Sequence, residues 1–491
     1  MSGHGHARSP TRRRIGVPVV GLAEQAAGTA SGRPAVPGFA PWPPQGDGKE
    51  RGRALRRRTP RAAHGGFGAA AGRPSVADAV VEANAGRLEH LVPIRVGRMA
   101  ASPFSFLRGS AGLMAYDLAD TPASGVVAQL CGDAHAANFG LYGDPRGRLV
   151  IDINDFDETA PGPWEWDLKR LAASLVLAGR QAGAGEDVCR DAAFHAAASY
   201  RRTMRRLAKL PAVDAWNAIA DENLVAFTEA HDLAGVLAAV GEKALRNTSA
   251  RFAARSTARR KDGSWRFTEA PPVLSAVPDA EAAAVAGSLA GYLSTVAPEM
   301  VPLLARYSVQ DVAFRIVGTG SVGTRAYVVL LVDLREQPLV LQVKEARPSV
   351  LLPHLARAGF AVTGAAEHEG QRVVLGQRRI QVVSDVLMGW TSVDGLPYQV
   401  RQFRNRKGSV DPAALLPEQL DDYGRITGAL LARAHAHTAD AAVIAGYAGK
   451  SGELDEALAA FAVAYADRSE ADHAELLAAV RAGRLPAETG I

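Results

Sequence analysis

The spacing of apolar residues divides the chain into three parts. From about residue 75 to residue 305 they recur mostly at helical spacing, most clearly in WEWDLKRLAASLVLAGRQAG at 164–183, which predicts an amphipathic helix. Around residue 310 the pattern changes to alternating or continuous apolar runs rich in β-branched residues, which is typical of strands. From Pro417 helical spacing returns. The pattern therefore predicts a helical part, a β-rich part and a final set of helices.

Individual segments predict more specific elements. Residues 76–99 have helical spacing, and we expect that helix to end near Pro93. The arginine-rich segment 251–267 predicts an exposed link within the helical part. A helix is predicted at 365–380, and a longer one begins after Pro417 and is followed by two more. Strands are predicted within 311–333, 337–346, 381–392 and 396–403.

Length and composition set the domain plan. The chain has 491 residues, 47% of them hydrophobic, which is enough for more than one domain with a real core. We predict an α+β protein of two lobes. Residues 1–48, rich in Gly, Pro, Ala and Arg, form a disordered basic tail. Residues 49–305 form a helical lobe, 306–410 a small β-rich lobe, and 411–491 the helices that complete the helical lobe.

Charge and cysteine content narrow the classes of partner. The net charge of +5 comes largely from TRRR and RGRALRRR near the start of the chain. No aromatic residues alternate with these arginines to stack on bases, so we favour a solvated tail over the alternative, nucleic-acid binding through the arginine-rich head. Only Cys131 and Cys189 are present, which fits a reducing cytoplasm. No apolar run approaches the roughly 20 residues that a membrane helix needs. We expect a cytoplasmic protein.

The acidic stretch at 129–170 carries the main candidate chemistry. It contains Asp133, Asn138 and Asp155, and the apolar run Leu149–Ile151 leads directly into its later carboxylates. Clustered carboxylates are costly unless a cation or a proton is shared among them. The available ligands are oxygens, which magnesium prefers. We favour Asp155 as the metal ligand of this stretch, with Asp152 and Asp157 as alternatives.

A glycine-rich segment lies between two predicted strands. Gly318, Gly320, Ser321 and Gly323 belong to GTGSVG, and glycines at such a hairpin let backbone N–H groups approach phosphates closely. The alternative is an ordinary turn. One strand downstream, Lys344 interrupts the apolar run LVLQVKEA.

A lysine on a buried strand needs an anionic partner, because removing an ammonium group from water is costly. Phosphates of a nucleotide together with a helix carboxylate would supply it. Glu367 and Glu369, in the following predicted helix, are the candidates for that carboxylate.

The order of polar residues in the acidic stretch indicates phosphoryl transfer. Asp133 precedes Asn138 by five positions (138 − 133 = 5), and a strand then leads to Asp155. In kinases one Asp orients the acceptor hydroxyl, while an Asn and a second Asp hold magnesium. We therefore predict an ATP- and magnesium-dependent phosphotransferase that acts on a small-molecule or protein hydroxyl. Lys344 and the glycine-rich segment must then face Asp133 and Asp155 across one cleft.

The segments CGDAHAANFG, IDINDFDE and WEWDLKRLA resemble the small-molecule kinases of the aminoglycoside and choline kinase type. The resemblance implies that Asp133 is the catalytic base or orienter, that Asn138 and Asp155 bind the metal, and that Asp167 is a structural anchor. Cys131 stands where those enzymes usually have His. The glycine-rich segment and Lys344 follow the catalytic loop here, whereas in those kinases they precede it.

Helix 426–438 resembles the helix that precedes the catalytic loop in such kinases, and joining its end to Leu130 restores the usual order. We therefore predict a circularly permuted protein-kinase-like fold. From about residue 50 onward the chain also resembles the bacterial family known as domain of unknown function 2252. The stretches that carry this resemblance include RMAASPFSFLRG, LCGDAHAANFGLY, VGTGSVGTRAYVVLL and YQVRQFRNRKGS.

Two other functions fit parts of the sequence. A metal-dependent phosphohydrolase would use the GDAH turn, but His435 and His437 point to different faces of a helix and do not complete its ligand set. A non-catalytic, nucleotide-binding kinase-like module would keep the same residues without turnover. Arg108 is expected in a structural ion pair or as a phosphate clamp. Arg401, Arg404 and Lys407 are expected at a solvated strand end.

Overall fold

The structure is a computed structural model that describes residues 47–69, 72–218, 228–316, 318–361 and 367–489. The predicted tail at 1–48 lies outside these residues except for its last two. The described part of the chain is mixed α+β, as predicted. Within it, no helix combines the length and the apolar character that crossing a membrane requires.

The described helices are distributed along the whole chain, and the strands are concentrated in its middle. The helices are α1 (Gly48–Leu55), α2 (Val76–Asn84), α3 (Val92–Ala100), α4 (Pro103–Gly109), α5 (Ala111–Leu118), α6 (Trp164–Gln181), α7 (Glu186–Leu207), α8 (Ala212–Trp216), α9 (Ala234–Leu245), α10 (Ser249–Ser256), α11 (Asp279–Tyr292), α12 (Val301–Leu304), α13 (Leu352–Arg357), α14 (Glu369–Ile380), α15 (Pro417–Ala436), α16 (Ala441–Ala448) and α17 (Glu453–Arg481). The strands are β1 (Val127–Leu130), β2 (Phe139–Gly143), β3 (Leu149–Ile153), β4 (Ala160–Pro163), β5 (Thr257–Arg259), β6 (Trp265–Phe267), β7 (Leu274–Ala276), β8 (Tyr307–Arg315), β9 (Ala326–Asp333), β10 (Pro338–Glu345), β11 (Gly389–Val393), β12 (Leu396–Gln402) and β13 (Gly408–Ser409).

The largest sheet is antiparallel and has the strand order β11-β12-β10-β9-β8-β7. Successive residues of β9 face opposite sides of the sheet, and both sides are covered. Val329 and Leu331 pack in one apolar core with α11. Val328 and Leu330 pack in another, with Ala253 of α10. Burial on both faces explains why β9 reads as a continuous apolar run.

Helix α6 lies at the centre of the helical part. Its residues from Trp164 to Gly179 are buried on every side, between α7, α15 and α17. The predicted amphipathic character is therefore wrong for this helix. Its charged side chains are buried because each meets a polar partner, as Asp167 and Arg170 do in the candidate site. Two small sheets next to α6, β1 with β4 and β13-β2-β3, carry the acidic stretch.

Two further predictions of local structure differ from the structure. The predicted helix at 76–99 is two helices, because Gly86 at φ 75° turns the chain and Pro93 lies in the first turn of α3 rather than at a helix end. The arginine-rich link contains α10 and then a short hairpin of β5 and β6, closed by a turn with Gly263 at φ 84°. Helices at 369–380 and after Pro417, and the four predicted strand regions, are present.

Candidate functional site

The loop after β1 is fixed by hydrogen bonds to the first turn of α6. The backbone N–H groups of Cys131 and Gly132 donate to the Asp167 carboxylate at 2.7 and 3.0 Å. Gly132 has φ 84°, and a Cβ there would lie 2.1 Å from the carbonyl oxygen of Glu158. Only glycine fits this position, and the chain therefore turns sharply into Asp133.

Asp133 is fixed by a buried arginine that sequence reasoning did not identify. Arg170, two turns into α6, donates to Oδ1 of Asp133 from Nε at 2.6 Å and contacts it with Nη2 at 2.5 Å. His135 Nε2 lies 3.6 Å from the other oxygen, Oδ2. One carboxylate oxygen is thus committed to positioning, and Oδ2 is available to an acceptor. The sequence signal for Arg170 is a charged pair, Lys169–Arg170, directly before the apolar run Leu171–Gly179 of the helix.

Asn138 connects the two acidic loops. Its side-chain nitrogen donates to the carbonyl oxygens of Asp133 at 3.0 Å and Asp155 at 3.2 Å. Both bonds use the amide nitrogen, which leaves the amide oxygen for another partner. Asn138 is buried, and Asp155 is partly exposed. The amide oxygen and the Asp155 carboxylate are ligand types that suit magnesium.

Lys344 of β10 reaches across to the acidic loops from the large sheet. Its side chain is 3% exposed, and its Nζ contacts Oδ2 of Asp157 and lies 3.9 Å from Oδ1 of Asp155. Asp157 also accepts from Ser321 Oγ at 2.9 Å and from Gln399 Nε2 at 3.0 Å. Gln399 is the β12 residue paired with Lys344. Asp157 therefore connects the glycine-rich segment and two strands to the acidic stretch.

Glu369, the expected partner of Lys344, lies in a different contact. Its carboxylate accepts from Arg372 of the same helix, α14. Arg372 in turn donates to the carbonyl oxygens of Asp157 at 2.8 Å and Thr159 at 2.7 Å. Helix α14 thus contacts the acidic loop through an arginine, and the carboxylate beside Lys344 comes from Asp157. Glu367, the other candidate, is exposed.

The glycine-rich segment joins β8 and β9, as predicted. Gly318 precedes the short 3₁₀ turn Thr319–Ser321, and no atom lies within 4 Å of the position a Cβ would take there. Gly323 has φ 87°. The carbonyl oxygens of Val322 and Gly323 accept from Arg87 Nη1 at 2.7 Å and Leu88 N at 2.8 Å. The far end of the loop is therefore fixed, while Gly318 at its start faces open space.

One cavity of about 460 Å³ brings most of the predicted site residues together. Its lining includes Asp133, Asn138, Asp155, Gly318, Gly320, Ser321 and Lys344. Gly323 and Glu369 are not part of this lining. Arg401, Arg404 and Lys407 do line it, so they are not merely a solvated strand end. Burial acts to raise the pKa of Asp155, but Lys344, Arg401 and Lys407 together lower it below its ordinary value.

The remaining candidates have structural partners. Asp152 is fully buried and contacts Arg433. His435 lies between Tyr200 Oη at 2.9 Å and Asp167 at 3.3 Å, whereas His437 meets the carbonyl oxygen of Arg379. Within the described ranges, no three His, Cys, Asp or Glu side chains cluster as a complete metal site. A metal at Asn138 and Asp155 would therefore need further ligands from a substrate.

Comparison with known proteins identifies a family to which most of the chain is similar. Residues 87–479 match the family described as "Uncharacterized protein conserved in bacteria (DUF2252)". No curated protein and no solved structure matches the chain.

Proposed function

The chain belongs to the DUF2252 family of bacterial proteins. From the geometry of the site, we propose that this member is an ATP- and magnesium-dependent phosphotransferase with a circularly permuted, kinase-like fold. The observation that carries the proposal is the meeting of Lys344 with the carboxylates of Asp155 and Asp157. The lysine comes from the large sheet and the carboxylates from the loop after β3, and Gly318 and Gly320 line the same cavity. An ammonium group, exposed backbone N–H groups and acidic metal ligands in one cavity suit a nucleotide triphosphate.

Each of these groups has a separate task in the proposed reaction. Lys344 neutralises phosphate charge, and Gly318 and Gly320 allow close approach of the phosphates to the backbone. Asn138 and Asp155 would hold magnesium, which needs only one or two carboxylates when phosphates complete its coordination. When bound, magnesium supplies charge neutralisation on the transferred phosphoryl group.

Asp133 orients the acceptor through Oδ2, while Arg170 holds its Oδ1. The acceptor oxygen forms a bond to the γ-phosphorus as the bond from that phosphorus to the β–γ bridging oxygen breaks. ADP leaves with the bridging oxygen, and the hydroxyl proton passes by way of Asp133 to solvent. Most of the rate enhancement in such a transfer comes from positioning and from charge neutralisation.

The permuted order is supported by one contact. The backbone N–H of Gln129 in β1 donates a hydrogen bond to the hydroxyl oxygen of Thr438, which lies just after the end of α15. The helix that would precede the catalytic loop in an unpermuted kinase therefore ends beside the strand that leads into that loop.

Titration with Mg·ATP tests the nucleotide site. We expect Lys344→Met to weaken ATP binding at least tenfold, because a charge-assisted contact to phosphate contributes more than about 1.4 kcal/mol. Lys209→Met removes an exposed lysine just after α7 and serves as the matched control. Equal ATP affinity in wild type and Lys344→Met would contradict the proposal.

Turnover separates the transferase from its two alternatives. Without an acceptor, the wild-type enzyme is expected to hydrolyse ATP slowly, because water takes the place of the acceptor hydroxyl. Asp133→Asn is expected to keep ATP affinity and to lose this slow release of ADP. A non-catalytic module would release no ADP even as wild type. A phosphohydrolase would hydrolyse p-nitrophenyl phosphate without ATP and independently of Lys344.

A further inference from the structure

A second cavity adjoins the first. It has a volume of about 270 Å³ and is formed largely by α2, α4, α5 and the segment after β10. Five residues line both cavities: Arg108, Asp133, Asp155, Gly320 and Ser321. Lys344, Asn138 and Gly318 line only the first, and Arg87, Arg95 and Arg347 only the second. Asp133 and Asp155 therefore lie on a wall that the two cavities share, whereas Lys344 and Asn138 face the first cavity alone.

The second cavity contains four arginines that lack an anionic partner among the described residues. Arg95 is 2% exposed and donates only to neutral oxygens, Asn84 Oδ1 at 2.8 Å and Gly109 O at 2.7 Å. Arg87 donates to the carbonyl oxygens of Ala83 and Val322, and Arg347 to that of Ala85. Within the described structure, the buried Nε atoms of Arg95 and Arg108 have no hydrogen-bond partner.

Among the described residues, no acidic side chain that lines this cavity forms an ion pair with these arginines, although Glu158, Asp157 and Glu345 act at longer range to raise the pKa of Arg87. Glu82 and Asp155 also line the cavity. Asp133, Asp157 and Glu345 are already paired, with Arg170, Lys344 and Arg325 respectively. Glu158 accepts from the backbone N–H of Val350 at 2.7 Å, and burial raises its pKa.

Arg95 is buried, and Arg87, Arg108 and Arg347 are partly buried. Removing these charges from water has a cost that their neutral partners do not offset. Desolvation lowers the pKa of Arg87 to about 10, and Arg95 is shifted in the same direction. Buried charges in proteins are normally paired, because an unpaired one loses its hydration without compensation. An anion that enters the cavity would supply the missing partner.

Part of the lining is apolar. Val80, Met99, Phe106, Leu113 and Val350 contribute hydrocarbon surface beside the arginines. A site with both features suits a small molecule that has an anionic group on an apolar body. Free nucleotide triphosphate fits it poorly, because the ribose and phosphates would meet that hydrocarbon surface.

We propose that the second cavity binds the phosphoryl acceptor, a small organic anion that carries a carboxylate or phosphate, a short apolar body and a hydroxyl group. This assignment rests on the proposed phosphotransferase function. The arginines bind the anionic group, the apolar residues cover the body, and the hydroxyl reaches Asp133 on the shared wall. Arg108, on the same wall, lies within reach of both the acceptor and the phosphoryl group. The transfer itself is the one written above, with this hydroxyl as the attacking oxygen.

Calorimetric titration with matched probes tests the site without turnover. The probes are 3-phenyllactate, which has a carboxylate, a hydroxyl and an apolar ring, its neutral methyl ester, and phenyl phosphate. We expect the anions to bind at least tenfold more tightly than the ester, and the stronger of the two anions identifies the preferred head group. Arg347→Gln and Arg108→Gln should each weaken anion binding about tenfold. Arg180→Gln, which removes an arginine paired with Glu186 elsewhere, is the control for net charge.

The outcomes separate this inference from the nucleotide proposal. Lys344→Met should keep anion binding while it loses ATP binding. If ATP binds as expected but the anions bind no better than the ester, the acceptor class is wrong and the phosphotransferase proposal stands. If the anions bind and ATP does not, the anion site stands and the nucleotide proposal fails. Equal anion binding in Arg347→Gln, Arg108→Gln and wild type would overturn the assignment to this cavity, and thermal unfolding of each variant verifies that it is folded.

Discussion

The backbone N–H of Gln129 donates a 2.8 Å hydrogen bond to the hydroxyl oxygen of Thr438, a residue 309 positions later in the chain. Gln129 lies in β1, one residue before the strand ends at Leu130, and Thr438 lies just after α15. The bond therefore joins the strand that leads into the Asp133 loop to the segment just after α15. Two parts of the chain that are distant in sequence therefore meet next to the loop that carries Asp133.

Removal of this hydroxyl should weaken the fold. Thr438→Val has nearly the same volume but leaves the N–H of Gln129 without its acceptor, so we expect a loss of about 1–3 kcal/mol in the free energy of unfolding. Thr438→Ser keeps the hydroxyl and should stay much closer to wild type. Urea unfolding of the three proteins measures the difference. Equal stability of the valine and serine variants would show that the bond contributes nothing.

Asp152 and Asp155 should respond in opposite ways to the same substitution. Asp152 and Arg433 are both fully buried and contact each other, so Asp152→Asn should cost about 3–5 kcal/mol of stability. Asp155 is 43% exposed on its side chain, and its nearest cation, Lys344, lies 3.9 Å away. Asp155→Asn should therefore keep the fold and lose magnesium-dependent ATP binding. Urea unfolding and Mg·ATP titration of both variants make the comparison. Loss of ATP binding without loss of stability in Asp152→Asn would reverse the two roles.

The sequence predicts which groups the site needs better than it predicts which residues supply them. A lysine within a buried strand requires a carboxylate, and that requirement holds. The carboxylate beside it is Asp157, 187 positions away, rather than Glu369 on the next helix. The choice depends on how the sheet packs against the acidic loop, and local spacing carries no information about that packing.

Burial of charge explains the other differences. Helix α6 has the spacing of an amphipathic helix, yet its charged side chains are inside the protein, where Arg170 holds Asp133. A periodic pattern shows where the apolar residues lie, but it cannot show that the polar face is also covered. Arg95 was not identified for the same reason, since an arginine in a helix is usually solvated. The longer strands of the large sheet and the helices α6, α14 and α15 were predictable because each depends mainly on its own sequence, whereas the short strands β1, β2, β4 to β7 and β13 were not predicted.

The glycines of the β8–β9 loop should divide into one structural and one functional position. Gly323 has φ 87°, and a Cβ there would lie 3.0 Å from Cβ of Arg87, so Gly323→Ala should cost about 1–2 kcal/mol of stability. Gly318 has φ −63°, and no atom lies within 4 Å of its Cβ position, so Gly318→Ala should leave stability unchanged. If phosphates approach the loop there, the added methyl group will weaken ATP binding. Unchanged ATP affinity in Gly318→Ala would place the phosphates elsewhere.

His135 should make the protein sensitive to acid. Its side chain is buried, and that burial, with Arg108 and Arg170 nearby, lowers its pKa from 6.5 to about 4 although Asp133 acts in the opposite direction. As the pH falls below 6.5, His135 binds a proton in the unfolded chain but not yet in the folded protein. Stability from this group is fully present above pH 6.5 and is lost as the pH falls towards 4, by about 3 kcal/mol in total.

His135→Gln removes this titration, so the free energy of unfolding should fall less steeply with decreasing pH, by up to about 1.4 kcal/mol per pH unit. Urea unfolding at several pH values across that window measures the slope, which is informative even if the variant is less stable at neutral pH. The exposed His90→Gln controls for loss of a histidine as such. A slope identical to that of wild type would mean that His135 has the same pKa in the folded and unfolded protein, so that the folded protein also binds this proton as the pH falls below 6.5. In that case the imidazolium would pair with Asp133, and the carboxylate would no longer have Oδ2 available for an acceptor.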